Sequence, residues 1–243
     1  MPDLICIDFW NTLVRATSNG EIRRKVRHDA LARLAVAYDK TITEQMVQEA
    51  NKLASERFDE IWYGQQRTPT TLELVQIIMD HLNLQPSREE LQDLVVAYQD
   101  SLMAGPPEPV AGIHDALSEL SRMAPLTIIS DTMYSPGRVL RAFLQEQGLG
   151  QFFSFYVFSD ETGVSKPHPK AYHTALEYAK ADPARSWHIG DIQKTDILGA
   201  KGVGMNAILF TGLSDKDRNE NTADFVCDTW DEVVDVFRRK PEV

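Results

Sequence analysis

Four polar segments of this chain each follow a short apolar run, and their residue types suit the handling of an anion. The first is Asp8, which ends the run Leu4-Ile5-Cys6-Ile7 and opens Phe9-Trp10-Asn11-Thr12-Leu13. A carboxylate at the mouth of a buried strand is costly unless paired or bound to a cation, and it can also attack as a covalent nucleophile. Ser130 follows Leu-Thr-Ile-Ile with a hydroxyl placed to donate to a substrate oxygen, and Asp131 and Thr132 come directly after it. Lys166 sits in Gly163-Val164-Ser165-Lys166-Pro167-His168-Pro169, a point charge on a proline-stiffened loop at a helix start. Last, Gly190-Asp191 and Asp196 supply two carboxylates, one at a strand end and one at the start of the next helix. That spacing allows them to share one hard cation through oxygen ligands.

These residues need a scaffold that gathers strand ends. Apolar runs at 4–7, 126–129, 186–189 and 206–210, with a weaker one at 155–158, read as buried strands of a parallel sheet. Helical patterns at 112–123, 136–147, 169–180, 195–201 and 230–239 alternate with them, which predicts an α/β, Rossmann-like, doubly wound fold. Residues 18–104 differ. They lack strand signals and show apolar stripes at helical spacing, such as Leu72, Val75, Ile78, Met79 and Leu82. Helix starts are expected at 68–71 and 86–89, and Gly105 to Pro109 reads as a linker. The predicted division is a core of residues 1–16 and 106–243 with an all-helical insertion of residues 17–105.

The net charge of −11 argues against nucleic acid as a partner, because phosphate backbones need a basic surface. It leaves room for a small anionic substrate, since a bound cation and a few lysines reverse the local field. No apolar run approaches the ~20 residues that cross a bilayer, and the first ten residues lack the pattern of a secretory signal. The expectation is a cytoplasmic protein, monomer or homodimer, with no membrane partner. Cys6 and Cys227 both lie in strand-like apolar runs and read as buried, reduced thiols.

Strand-Asp, strand-Ser, Lys-Pro and Gly-Asp-x4-Asp, in this order and over nearly the whole chain, resemble motifs one to four of the haloacid dehalogenase superfamily. The insertion after motif one resembles that superfamily's C1 cap. The resemblance implies a hydrolase in which Asp8 attacks the substrate and forms an aspartyl intermediate. It implies Mg²⁺ held by Asp8, Asp191 and Asp196 with the carbonyl of Trp10, while Ser130 and Lys166 hold the transferring group and Thr12 steadies the first loop. A small phosphorylated metabolite would be the substrate, because phosphoryl transfer depends mainly on positioning and charge compensation.

One residue departs from the pattern. Phosphatases of this superfamily usually read Asp-x-Asp in motif one, and the second Asp is the acid and base; here that position is Trp10. General acid–base catalysis is worth ~10²–10⁴-fold, so three readings stay open. One is a phosphohydrolase that shifts the proton task elsewhere or acts on good leaving groups. Another is a dehalogenase or a phosphonate hydrolase, the latter with Lys52 as the Schiff-base candidate. The third is a protein that keeps the pocket but has lost catalysis. Other candidates read as ordinary: His168 as a loop residue, His188 as a hydrogen-bonded core histidine, Arg15 and the basic stretch at 23–27 as solvated. Phe58, Trp62 and Tyr63 form an aromatic group that serves packing or specificity equally well.

Overall fold

The computed structural model describes residues 1–238 of the 243. They fall into two compact units. One holds residues 1–16, 108–131 and those from 144 onward; the other holds 17–107 and 132–143.

The first unit is built on a parallel sheet. Its strands are β1 (Leu4–Ile7), β4 (Leu126–Ser130), β5 (Phe155–Phe158), β6 (Ser186–Gly190), β7 (Asn206–Phe210) and β8 (Phe225–Cys227), in the order β5-β4-β1-β6-β7-β8. β1 is buried at every position, as a central strand covered on both faces must be. Ile7 is level with Ile128 on one side and Ile189 on the other. The residues just beyond, Asp8, Ser130 and Gly190, therefore leave the sheet together at its carboxyl edge, where open α/β sheets place their chemistry. β8 adds a three-residue edge strand ending at Cys227, within the strand-like run that the sequence shows there. Cys6 and Cys227 are both buried, and no disulfide joins them. A small antiparallel pair, β2 (Val14–Arg15) and β3 (Glu108–Pro109), brackets the insertion.

The helices of this unit are α5 (Ile113–Met123), α7 (Ser159–Thr162), α8 (Pro169–Ala179), α9 (Leu198–Gly202) and α10 (Trp230–Arg238). Arg239, the last residue of the predicted terminal helix, lies outside the described residues. Before α9 comes one wide π-turn, Gln193–Ile197, a feature that concentrates at functional sites. On one face of the sheet Cys6, Ile129 and Leu209 pack with Tyr172 of α8 and Ala200 of α9. The Tyr172 hydroxyl donates to the carbonyl of Thr195 at 2.5 Å, which ties α8 to the π-turn.

The second unit contains α1 (Gly20–Ala37), α2 (Glu44–Gln65), α3 (Thr71–His81) and α4 (Arg88–Ala104). α3 and α4 start with reciprocal capping boxes, Thr70 with Glu73 and Ser87 with Glu90, at the predicted positions. Leu31, Leu74, Ile78, Leu94 and Tyr98 form the core between them. Arg23 is buried and donates to the carbonyls of Ser18 and Gly105, where the chain enters and leaves the helices.

In one respect the division differs from the sequence expectation of a continuous body from 106 onward. Residues 132–143, including the first part of α6 (Gly137–Glu146), belong with the helices. Tyr134 sits in their core, and Arg138 reaches Asp100 at 2.8 Å and Gln99 at 2.7 Å.

Gly199 tests the packing of α8 on α9. A Cβ there would run into the hydroxyl and ring of the fully buried Tyr172. Helix propensity favours alanine over glycine by about 1 kcal/mol, whereas overpacking a core costs about 1–3 kcal/mol. Gly199→Ala is therefore expected to lower the urea midpoint; an unchanged or raised midpoint would contradict this contact.

Candidate active site

Asp8 leaves β1 with its amide donating to Ile189 of β6 at 2.8 Å. The chain then folds into a tight loop. Asn11 takes a left-handed conformation (φ 54°), which asparagine tolerates better than most residues. The Asn11 amide donates to Val14 at 2.8 Å, and its side-chain oxygen accepts from Ala16 at 3.2 Å. From the far end of the chain, the Trp230 indole donates to the carbonyl of Thr12 at 3.1 Å. This loop sets the Thr12 hydroxyl 3.5 Å from Asp8 Oδ2, a long contact that leaves that oxygen lightly engaged.

The other Asp8 oxygen is firmly held. Lys166 Nζ donates to Asp8 Oδ1 at 2.5 Å and to Asp196 Oδ1 at 2.7 Å, with all three side chains buried. The Lys166 backbone is fixed in turn by Asp131, whose Oδ1 accepts from the Lys166 amide at 3.0 Å. His188 Nε2 lies 2.8 Å from Asp196 Oδ1. Burial alone would lower Lys166, yet Asp196, Asp8 and Asp131 raise it well above its ordinary value. Burial by itself would raise Asp196, yet Lys166 and His188 hold it well below the carboxylate range. Burial keeps His188 neutral despite the pull of Asp196. Its hydrogen therefore sits on Nε2, facing an acceptor-only carboxylate. Its buried Nδ1 has no partner among the described residues.

Sequence reasoning grouped Asp196 with Asp8 and Asp191 as a cation ligand. In the structure its oxygens are already occupied. Oδ1 receives Lys166 and His188, while Oδ2 receives the Ile192 amide at 3.1 Å and the Thr195 hydroxyl at 3.4 Å. Asp196 is the anchor that fixes Lys166. Gly190 makes this possible, since a Cβ there would overlap the Asp196 carboxyl. The sequence pattern contains that signal, a glycine just before Asp191, but its reason emerges only in three dimensions.

Asp191 is different. Burial, reinforced by the charges of Asp8 and Asp196, pushes it up to about 8. Burial is also the main cause that pushes Asp8 up to about 7, against the pull of Lys166. Four carboxylates, of Asp8, Asp131, Asp191 and Asp196, thus face one lysine and a neutral histidine. Among the described residues no three His, Cys, Asp or Glu side chains form a ready metal cage. Two under-compensated carboxylates do fit Mg²⁺, which is held by one or two carboxylates plus water and substrate oxygens.

Ser130 is buried at the end of β4, its hydroxyl 3.3 Å from the Asp131 carbonyl. Trp10 is half-buried, edge-on to Phe9 at 4.9 Å between centroids. Thr132 is buried but belongs to the helical unit. Of the minor candidates, His168 caps α8 by accepting from the Lys170 amide at 3.1 Å. Arg15 is exposed on β2. Lys52, the Schiff-base candidate, is 76% exposed and 3.7 Å from Glu56, the surroundings of a solvated lysine rather than a desolvated nucleophile.

Comparison with known proteins agrees with the geometry. Residues 2–204 match the model of the haloacid dehalogenase-like hydrolases. Haloacid dehalogenase-like hydrolase domain-containing protein 3 of Bos taurus is 40% identical over 75 residues, a stretch covering 31% of this chain and 30% of that protein. The match thus spans less than a third of that relative's length. Glyceraldehyde 3-phosphate phosphatase of Pyrococcus abyssi is 27% identical over 217 residues, covering 86% of this chain and 82% of that one. In fold, 2-haloacid dehalogenase of Pseudomonas syringae pv. Tomato superposes with a TM-score of 0.76 at 21% identity over 98% of this chain and 99% of that chain. With motif residues gathered at one sheet edge and a family match along most of its length, the chain belongs to the haloacid dehalogenase-like hydrolases.

Proposed function

We propose that this protein is a Mg²⁺-dependent phosphohydrolase that passes a phosphoryl group from a small phosphorylated metabolite to Asp8 and then to water. The observation that carries this reading is the asymmetric engagement of Asp8. Lys166 holds Oδ1, while Oδ2 has only a long contact to Thr12. Oδ2 attacks phosphorus and the bond to the leaving oxygen breaks. Water then attacks the same phosphorus, and the Asp8–phosphorus linkage opens to release phosphate. Lys166 and Ser130 balance the charge of the transferring group, and Asp196 and Asp131 hold Lys166 in place. Mg²⁺ bound by Asp8 and Asp191, with the Trp10 carbonyl, would screen an acidic nucleophile from an anionic substrate. The Pyrococcus phosphatase, related over most of both chains, supports the substrate class.

Trp10 limits the leaving group. An indole cannot protonate an alkoxide, so acyl and aryl phosphates, which depart without a proton, suit this site best. The same tryptophan favours one second reading, loss of halide from a haloacid, which also needs no proton. Asp191 weighs against it, because a burdened carboxylate is unwelcome in a metal-free site.

Three outcomes test these assignments. Asp8→Asn is expected to abolish Mg²⁺-dependent hydrolysis of acetyl phosphate and p-nitrophenyl phosphate; activity independent of both metal and Asp8 sinks the phosphohydrolase, and metal-free chloride release from 2-chloropropionate promotes the dehalogenase. Trp10→Asp restores an acid and base, and turnover of alkyl phosphates should rise toward the ~10²-fold lower bound of such catalysis; an unchanged rate contradicts the role given to Trp10. The third outcome concerns stability. Asp8 and Asp191 rise from 3.8 to about 7 and about 8 in the folded chain. A folded state that holds its protons longer than the unfolded one loses stability as pH rises through that window. Without Mg²⁺ the protein should melt lower at pH 8 than at pH 6, with Mg²⁺ removing most of the difference. Asp191→Asn should stabilise the metal-free protein at pH 8 by roughly 1 kcal/mol and erase the Mg²⁺ effect, as calorimetry with EDTA can read.

A further inference from the structure

The run Arg23-Arg24-Lys25-Val26-Arg27 reads in sequence as one solvated face, but its members meet different fates. Lys25 pairs with Asp29 at 2.8 Å along α1. Arg23 is buried on two backbone carbonyls. Arg27 is partly buried and lies over the rings of Tyr98 and Tyr134, 5.9 and 4.9 Å from their centroids. Stacking of this kind fixes the plane of a guanidinium and leaves its edge of N–H donors outward. Among the described residues those donors meet no acceptor, and neither Arg27 nor Arg24 has a carboxylate within ion-pair distance. Burial disfavours the Arg27 cation, and the charge of Arg24 adds to the cost.

This uncompensated charge lies in a chain of net charge −11, and it faces a space. Arg24, Arg27 and Lys52 line a cavity of about 1160 Å³ within the helical unit, together with Asn51, Met133 and Tyr134; of the acids on its wall, Asp29 pairs with Lys25, and Glu21 and Glu44 lie beyond ion-pair distance of Arg24 and Arg27. Small-molecule pockets run to about 1,000 Å³ and combine apolar walls with a few placed polar groups. Met133 and Tyr134 supply such a wall; Asn51 supplies an amide. A fully solvated arginine needs no counter-charge, but one stacked on two rings and facing a pocket has exchanged water for a partner it does not yet have.

We propose that this cavity binds the carboxylate or phosphate group of a small anionic metabolite, with Arg27 as the fork that grips it and Arg24 as the second cation. The anion is held by residues of the helical unit alone, so the proposal does not depend on the phosphohydrolase reading above.

Calorimetric titration of the full chain with malonate, a dianion with no phosphoryl group to transfer, reads the site without any turnover. Wild type should bind, Arg27→Met should weaken binding by about tenfold or more, the scale of a lost charge-assisted bidentate contact, and Arg24→Gln, at an exposed position where folding is not at risk, should weaken it severalfold. No binding to wild type, or equal affinity in wild type and Arg24→Gln, overturns the proposal even if Arg27→Met fails to fold. Absence of any phosphatase turnover would defeat the phosphohydrolase reading alone, because the malonate titration stands apart from it.

Discussion

The buried ammonium of Lys166, shared between Asp8 and Asp196, is the interaction on which the rest of the site depends. A lysine removed from water is tolerable only with its charge matched and its donors used. Every neighbouring element serves that requirement. β1 delivers Asp8, β6 ends in a glycine so that Asp196 can come close, and Asp131 pins the Lys166 backbone. The π-turn aims the Ile192 amide and Thr195 hydroxyl at the second oxygen of Asp196, and Tyr172 holds that turn from behind. The result is one carboxylate locked ionised, Asp196, beside two whose protons are loosely balanced near neutrality.

That imbalance separates two kinds of carboxylate that share a sequence pattern. Asp196 is held by four donors and works through Lys166. Asp8 and Asp191 are held above the ordinary carboxylate range by burial and by neighbouring acids, a perturbation of the kind that clusters at functional sites.

Much of this was legible from the chain alone. Asp8, Ser130 and Asp191 come at the ends of apolar runs and so announce themselves as strand-end groups, and the helical stripes of residues 18–104 with the helix starts at 68–71 and 86–89 give the insertion. The sequence could not show which of the two acidic residues after β6 would be spent on hydrogen bonds, because an i to i+5 spacing looks alike for a ligand and an anchor. It also misassigned residues 132–143, whose amphipathic pattern fits either unit until Tyr134 is seen among the helices. Arg23 and Arg27 were hidden for a simpler reason: charged residues are assigned to solvent by default, and only a partnered backbone or a stacked ring reveals the exception.

The bond from the Trp230 indole to the Thr12 carbonyl joins positions 218 residues apart, and it braces the loop that presents Asp8. β1 itself is flanked by strands that begin at residues 126 and 186. Asp8 thus meets its sheet neighbours and Lys166 only across long stretches of chain. Contacts of such sequence separation form late, so the surroundings of Asp8 are completed only when the intervening chain has folded.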